Sequence, residues 1–337
     1  MDTFFCSDAC RKADEDIIGS GTNYSVYVLI ECPYPWEYNA FESRFFPKNL
    51  EILMAEVKRE KLPLRFLLIT QNQSYKQNNR KILIYEKEQC SFINGYKKYE
   101  FDVKNPEKIA PIIKKYLAGD NLDTKTQNNE TRDILICTHG SHDKCCAKYG
   151  NPFYMEAKKT ISQLSLENTR IWKSSHFGGH RFAPTMIDFP DGRYYGLLNQ
   201  ESFQAVLLRN DNIKLLNQVY RGWGILPTCI QVLERELIFC HGWEWFEYKI
   251  NMFNLDISSD KKLIKTQLGV LKPDGYQYIC QAKLAKDETK TIHLKGSCNA
   301  SKDSEFIKYS VNHLSFKIEN KTSISEKRFI NSHKKVG

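Results

Sequence analysis

Two stretches of this chain, about residues 20–118 and 133–220, run through the same order of apolar segments, and this duplication constrains the fold more than any other feature. In the first, residues 24–30 (YSVYVLI) predict a buried strand, β-branched and aromatic, bounded by Gly21 and Pro33. Leu50, Leu53, Met54 and Val57 then stand at helical spacing. Residues 64–70, 81–86 and 99–103 predict further strands, and 107–117 a helix stopped by Gly119. The pattern restarts with a short strand at 134–136. Asn151 and Pro152 form an N-cap and first-turn pair for a helix presenting Tyr154, Ala157, Ile161 and Leu164. Strands at 170–173, 185–189 and 194–198, with Asp191-Gly192 as the turn between the last two, and a helix from Glu201 to about Arg209 complete the second set. No residue-level repeat accompanies the shared order.

The fold class expected is therefore α/β, with two similar α/β units packed together. The polar run GDNLDTKTQNNETRD from Gly119 separates them as an exposed connection, which divides the chain into 1–118, a linker 119–132, and 133–250. Residues 228–241 predict a helix with Ile230, Leu233 and Leu237 on one face, and 243–250 an aromatic strand. From about 265 to 318 apolar and polar residues alternate around turn signals such as Pro273-Asp274-Gly275, which predicts that 251–320 forms a small β-rich addition. Residues 321–337 are expected to be a mobile tail.

Four of the eight histidines, His139, His142, His176 and His180, fall within 42 residues together with Cys137, Cys145 and Cys146. CTHGSHDKCC and SSHFGGHRFAP each follow a short strand. Two loops at neighbouring strand ends of an α/β sheet supply the converging ligands that a metal needs. The first loop can return either Cys145 or Cys146 to Cys137. Gly178 and Gly179 disfavour a regular helix across His176 and His180, place the pair on a turn, and let backbone N–H groups approach a cluster. His139 and His142 are read as surface groups or as supports behind the ligands, and Cys6 and Cys10 in FCSDAC as ordinary residues.

CTHGSHDKCCAKYG followed by WKSSHFGGHRFAPTMIDFPDGRYYG resembles the sucrase/ferredoxin-like family, whose fold is similar to thioredoxin-like ferredoxins. FCSDACRKADEDIIGSG and RGWGILPTCIQVLERELIFCHGWEWFEYKI extend the likeness over about residues 4–250. The resemblance implies a thioredoxin-like ferredoxin fold and a 2Fe–2S cluster. Cys137 and Cys146 would hold one iron, and His176 and His180 the other. The choice of Cys146 over Cys145 rests on the family pattern. Cys145, Gly178, Gly179 and Arg181 would stand around the cluster, with Arg181 facing its negative charge, a partner's carboxylate or Asp188. Neutral imidazole in place of thiolate favours the reduced state and raises the potential.

The function expected is electron transfer or redox sensing with a redox partner protein, a carrier more than a self-contained enzyme, and no catalytic residue is singled out. Zinc is the alternative occupant, since two Cys and two His also make a tetrahedral zinc site, although eight residues between the cysteines do not match a zinc finger's short knuckle. No pair of carboxylates stands out for a sucrose-cleaving hydrolase, and no Cys-x-x-Cys for a thiol oxidoreductase. The net charge of +9 is spread over scattered Lys and a tail with Lys327, Arg328, Lys334 and Lys335. It predicts a solvated surface or a face that steers an acidic partner, and no nucleic-acid site. Eleven cysteines without a signal peptide predict free thiols or ligands in a cytosolic protein, or a stromal one if a transit peptide has been lost. No apolar run is long enough for a membrane span, and two units forming an internal pseudo-dimer would suit a monomer.

Overall fold

Alternating burial dictates how the first unit is built. Along β1 (Val26–Glu31), Tyr27 and Leu29 belong to one core and Val28 and Ile30 to another; β3 (Arg80–Lys87) divides Leu83 and Tyr85 from Ile82 and Ile84 in the same way. Each strand thus has two apolar faces, and each face needs a cover. One is covered by α2 (Lys48–Arg59) and α3 (Ile109–Leu117), through Leu50, Leu53, Val57, Ile109 and Ile113. The other meets the second unit. The computed structural model describes residues 4–71, 80–120 and 131–319; most of the expected linker and the expected tail lie outside them.

With β2 (Leu64–Thr70) and β4 (Tyr96–Val103), the first unit pairs β1 parallel to β2 and antiparallel to β3, and β3 antiparallel to β4. The second repeats the plan. β5 (Arg132–Cys137) pairs parallel to β6 (Thr169–Ser174) and antiparallel to β7 (Met186–Phe189), which pairs antiparallel to β8 (Arg193–Tyr195). The α4 helix (Asn151–Gln163) links β5 to β6, and α5 (Gln200–Leu208) follows β8. Both units are therefore the βαβ–ββα arrangement of a thioredoxin-like fold.

The units join edge to edge where Ile69 and Thr70 pair antiparallel with Ser174 and Lys173, giving a nine-stranded sheet in the order β4-β3-β1-β2-β6-β5-β7-β8-β9, with β9 at Tyr220–Trp223. Past that short junction the inner faces meet. Tyr85 stacks on Phe189 with centroids 4.1 Å apart, and the fully buried Asp133 on β5 receives Lys98 from β4 at 2.5 Å, Arg170, Trp172 and the Tyr85 hydroxyl. A carboxylate so enclosed is tolerable only because charged and polar donors surround it.

Helices α6 (Leu216–Val219) and α7 (Gln231–His241) precede a four-stranded sheet of β10 (Lys249–Ile257), β11 (Leu263–Leu271), β12 (Gln277–Lys286) and β15 (Tyr309–Glu319), while β13 (Ile292–Lys295) pairs with β14 (Asp303–Phe306). This is the β-rich addition, with Pro273-Asp274-Gly275 at the turn before β12. Three local expectations are corrected. The aromatic segment after His241 is a 3-10 helix, Gly242–Glu247, because a three-residue repeat brings Trp243 and Phe246 to ring contact at 5.1 Å. Asn151 does not cap α4, which is entered from a π-helical turn at Cys146–Gly150, although Pro152 stands in its first turn as expected. The strand expected at 194–198 stops at Tyr195, and Leu197 adopts φ 54°.

Candidate metal centre

Cys137 ends β5 in the middle of the sheet, its N–H donating to Thr185 O at 3.2 Å. The loop that follows returns through the π-helical turn, whose first residue is Cys146. Gly150 makes this return possible, since a Cβ there would lie 2.0 Å from the Cys137 carbonyl oxygen. As a result the Cys137 and Cys146 sulfurs are 3.3 Å apart and buried. Cys145, one residue earlier, is turned away from Cys137 toward Cys6 and Cys298.

The second loop leaves β6 and brings His176 Nδ1 to 3.7 Å from Cys137 Sγ and 3.8 Å from Cys146 Sγ. Gly178 and Gly179, at φ +99° and +79°, turn the chain so that His180 Nδ1 comes to 3.3 Å from His176 Nε2. His180 Nε2 donates to the carbonyl of Gly296 at 2.6 Å, which leaves Nδ1 without its proton and available to a metal. Cys137, Cys146 and His176 form one group of donor atoms that could hold a metal ion, and His142, His176 and His180 form another.

The residues behind these donors come from both units. His139 is buried: its Nδ1 accepts the His176 N–H at 3.2 Å and its Nε2 donates to Glu37 O at 2.7 Å. Arg65 of β2 donates to His176 O at 3.0 Å. His142 is half-exposed and stacks on His176 at 4.2 Å, beside an open cleft of about 370 Å³ lined by Tyr38, Phe41, Arg65 and Phe66. Burial pushes the imidazole of His176 down to about 2, helped by His142 and His180, and lowers those of His139 and His180. Imidazoles held neutral are in the form that binds metal. Burial works against charge on both thiols; contact with Cys146 and the N–H groups of His139 and Phe177 nonetheless lower Cys137, whereas Cys137 and burial push Cys146 well up.

Arg181 is held by an ion pair outside the Cys/His group. It pairs with Glu15 through two hydrogen bonds of 2.9 and 3.0 Å, and Asp188, its other expected partner, is taken by Arg132. The buried cation beside the site is Arg221 of β9, whose guanidinium donates to Gly178 O at 3.2 Å and to Ser20 O at 2.7 Å. Burial brings Arg221 down to about 10, against a favourable interaction with Cys137. A Cβ on Gly179 would lie 2.5 Å from that guanidinium. Neither Arg65, Arg221 nor Gly296 had a role in the sequence, since each reaches the site from a distant segment.

Fold and site together define a mixed α/β protein of two thioredoxin-like units with a Cys/His group able to hold a metal. The model of the sucrase/ferredoxin-like family matches residues 17–222, and the chain belongs to that family. The chain is also similar to Altered inheritance of mitochondria protein 32 of Meyerozyma guilliermondii, 26% identical over 159 residues, which is 44% of this chain; it spans 56% of the relative's length. No solved structure matches. Among the described residues, no helix is long and apolar enough to cross a membrane.

Proposed function

We propose that Cys137 and Cys146 hold one iron of a 2Fe–2S cluster and His176 and His180 the other, and that the protein carries single electrons or senses redox state. The observation that carries this reading is the convergence of a buried thiol pair with two neutral imidazoles, one of them freed at Nδ1 by the Gly296 carbonyl. Two cysteines and two histidines are a known donor set for a two-iron centre, and such a cluster supplies a one-electron couple at a higher potential than an all-cysteine one. The donors fit it in type and number. Arg221 stabilises negative charge at the thiolates, and the cleft beside His142 and His176 is the exit toward a redox partner protein. The compartment proposed is the cytosol. The relative's name makes mitochondria the other place to look.

Zinc is the second reading, favoured by one distance pair: His176 Nδ1 is within 3.8 Å of both sulfurs, so three donors already surround a single point. Absorption and low-temperature EPR of protein purified without oxygen, before and after dithionite, with iron, sulfide and zinc assayed on the same sample, decide between them. Visible bands that bleach, with a reduced signal of lowered average g value, support the cluster. A colourless protein with zinc at these residues after anaerobic reconstitution overturns it.

A further inference from the structure

Cys6 in α1 (Cys6–Lys12), Cys145 in the loop before the π-helical turn, and Cys298 in the turn between β13 and β14 are separated by more than a hundred residues in sequence, yet their sulfurs meet. The three separations are 3.5 Å (Cys6–Cys145), 3.3 Å (Cys145–Cys298) and 3.6 Å (Cys298–Cys6). Asp143 closes the fourth side. Its Oδ1 is 3.2 Å from Cys298 Sγ, and all four donor atoms lie within 4.8 Å of one another.

The triangle has the dimensions of a single ion's ligand set. Zinc–sulfur bonds of about 2.3 Å place tetrahedral sulfurs roughly 3.8 Å apart, close to what is seen, whereas a disulfide would need about 2.05 Å. Asp143 supplies an independent argument. It is 3% exposed and has no ion-pair partner among the described residues; it accepts only the N–H groups of Cys145 at 2.8 Å and Cys298 at 3.1 Å besides its thiol contact. A carboxylate buried against three thiols calls for a positive charge at their centre.

We infer that Cys6, Cys145, Cys298 and Asp143 form a second metal site, one that takes a single borderline-soft divalent cation of the zinc type in a closed tetrahedral S3O set. Binding releases three thiol protons to solvent, Asp143 binds as the carboxylate, and the metal keeps its oxidation state. The site is structural because no position is left for substrate. The N–H of Ser7, donating to Cys145 Sγ at 3.4 Å, and those on Asp143 orient the ligands. Cys6 and Cys298 both lie outside residues 17–222, so this site ties α1 and the β-rich addition to the loop that carries Cys146. It also fixes the segment that presents Gly296 to His180. The inference does not depend on what the first centre holds.

The test is metal analysis and zinc K-edge X-ray absorption on the full chain and on a Cys137→Ser/Cys146→Ser variant, in which the first centre is removed. About one zinc per chain in the variant, with three sulfurs at about 2.3 Å and one oxygen at about 2.0–2.2 Å, is the expected result, and the full chain carries that zinc plus whatever zinc the first centre holds. In the Cys137→Ser/Cys146→Ser background, adding Cys298→Ser should lower zinc about tenfold, and Cys298→His, which restores a ligand, should recover it and so separate lost ligation from misfolding. Zinc absent from the full chain, zinc lost with Cys137 and Cys146 but kept without Cys298, or a Cys6–Cys145 disulfide in protein isolated under reductant would each overturn the inference. Iron and sulfide measured on the same samples report on the first centre alone.

Discussion

The imidazole of His180 donates its Nε2 proton to the backbone carbonyl of Gly296, 116 residues away, and this one hydrogen bond decides which nitrogen faces His176. His180→Asn keeps a donor for Gly296 but offers no second nitrogen. The variant should fold with a melting temperature close to the parent's and retain at least ~10-fold less metal at the first centre. Thermal unfolding and metal analysis of the same preparation check this; full metal retention would remove His180 from the site.

Arg221 is a buried positive charge that interacts with Cys137. If the proposed two-iron cluster is bound, removing that charge disfavours the more negative, reduced state. Arg221→Gln should lower the reduction potential by on the order of tens of millivolts, and Arg221→Lys by less. A spectroelectrochemical titration reads the difference, and an unchanged potential in Arg221→Gln would place the guanidinium outside the electrostatic reach of the centre.

Gly150 sits where any side chain would strike the Cys137 carbonyl. Gly150→Ala must push the π-helical turn off the strand end, at a cost of about 1–3 kcal/mol. The displaced residue is Cys146, so metal binding at the first centre should suffer more than global stability. Denaturant unfolding of the metal-free protein alongside metal titration distinguishes the two, and equal metal affinity in the variant would argue against Cys146 as a ligand.

Glu100 on β4 is buried, which opposes its charge, but Arg170 and Lys81 outweigh burial and bring its carboxyl to about 2. Its folded value lies below its unfolded value near 4.5. The stabilisation is therefore complete above pH ~4.5 and disappears as pH falls through ~2, a loss of about 3 kcal/mol. Glu100→Gln should be less stable at neutral pH and show a shallower loss of stability between those limits. Urea unfolding across that range measures it, and parallel pH profiles for parent and variant would contradict the assignment.

Periodicity made both halves legible: the strands around residues 24–30 and 134–136, and the helices beginning near Leu50 and Asn151, are local patterns with local causes. The placement of Cys137, His176 and His180 at or just after strand ends was legible for the same reason. What was not legible came from afar or from orientation. Nothing in the adjacency of Cys145 and Cys146 says which sulfur turns back to Cys137; the π-helical turn seated on Gly150 settles it. Cys6 looked like an ordinary residue, because Cys298 enters from the other end of the chain. Arg181 carried the expected charge at the expected place in sequence, yet Glu15 claims it. The run of aromatics after His241 suits a strand by composition, and only the ring contacts explain its tight helix.

The two-residue pairing of β2 with β6 has a consequence for how the halves divide their labour. It sets the strand ends of one copy of the fold against those of the other, so that the copy without the ligand set lends Glu37, Trp36 and Tyr38 carbonyls and the Arg65 guanidinium to loops that belong to its neighbour. One copy holds the Cys/His group that could bind a metal, and the other serves as the mould in which its loops set. A change in the first hundred residues can therefore alter chemistry at residue 176 without touching a single donor atom.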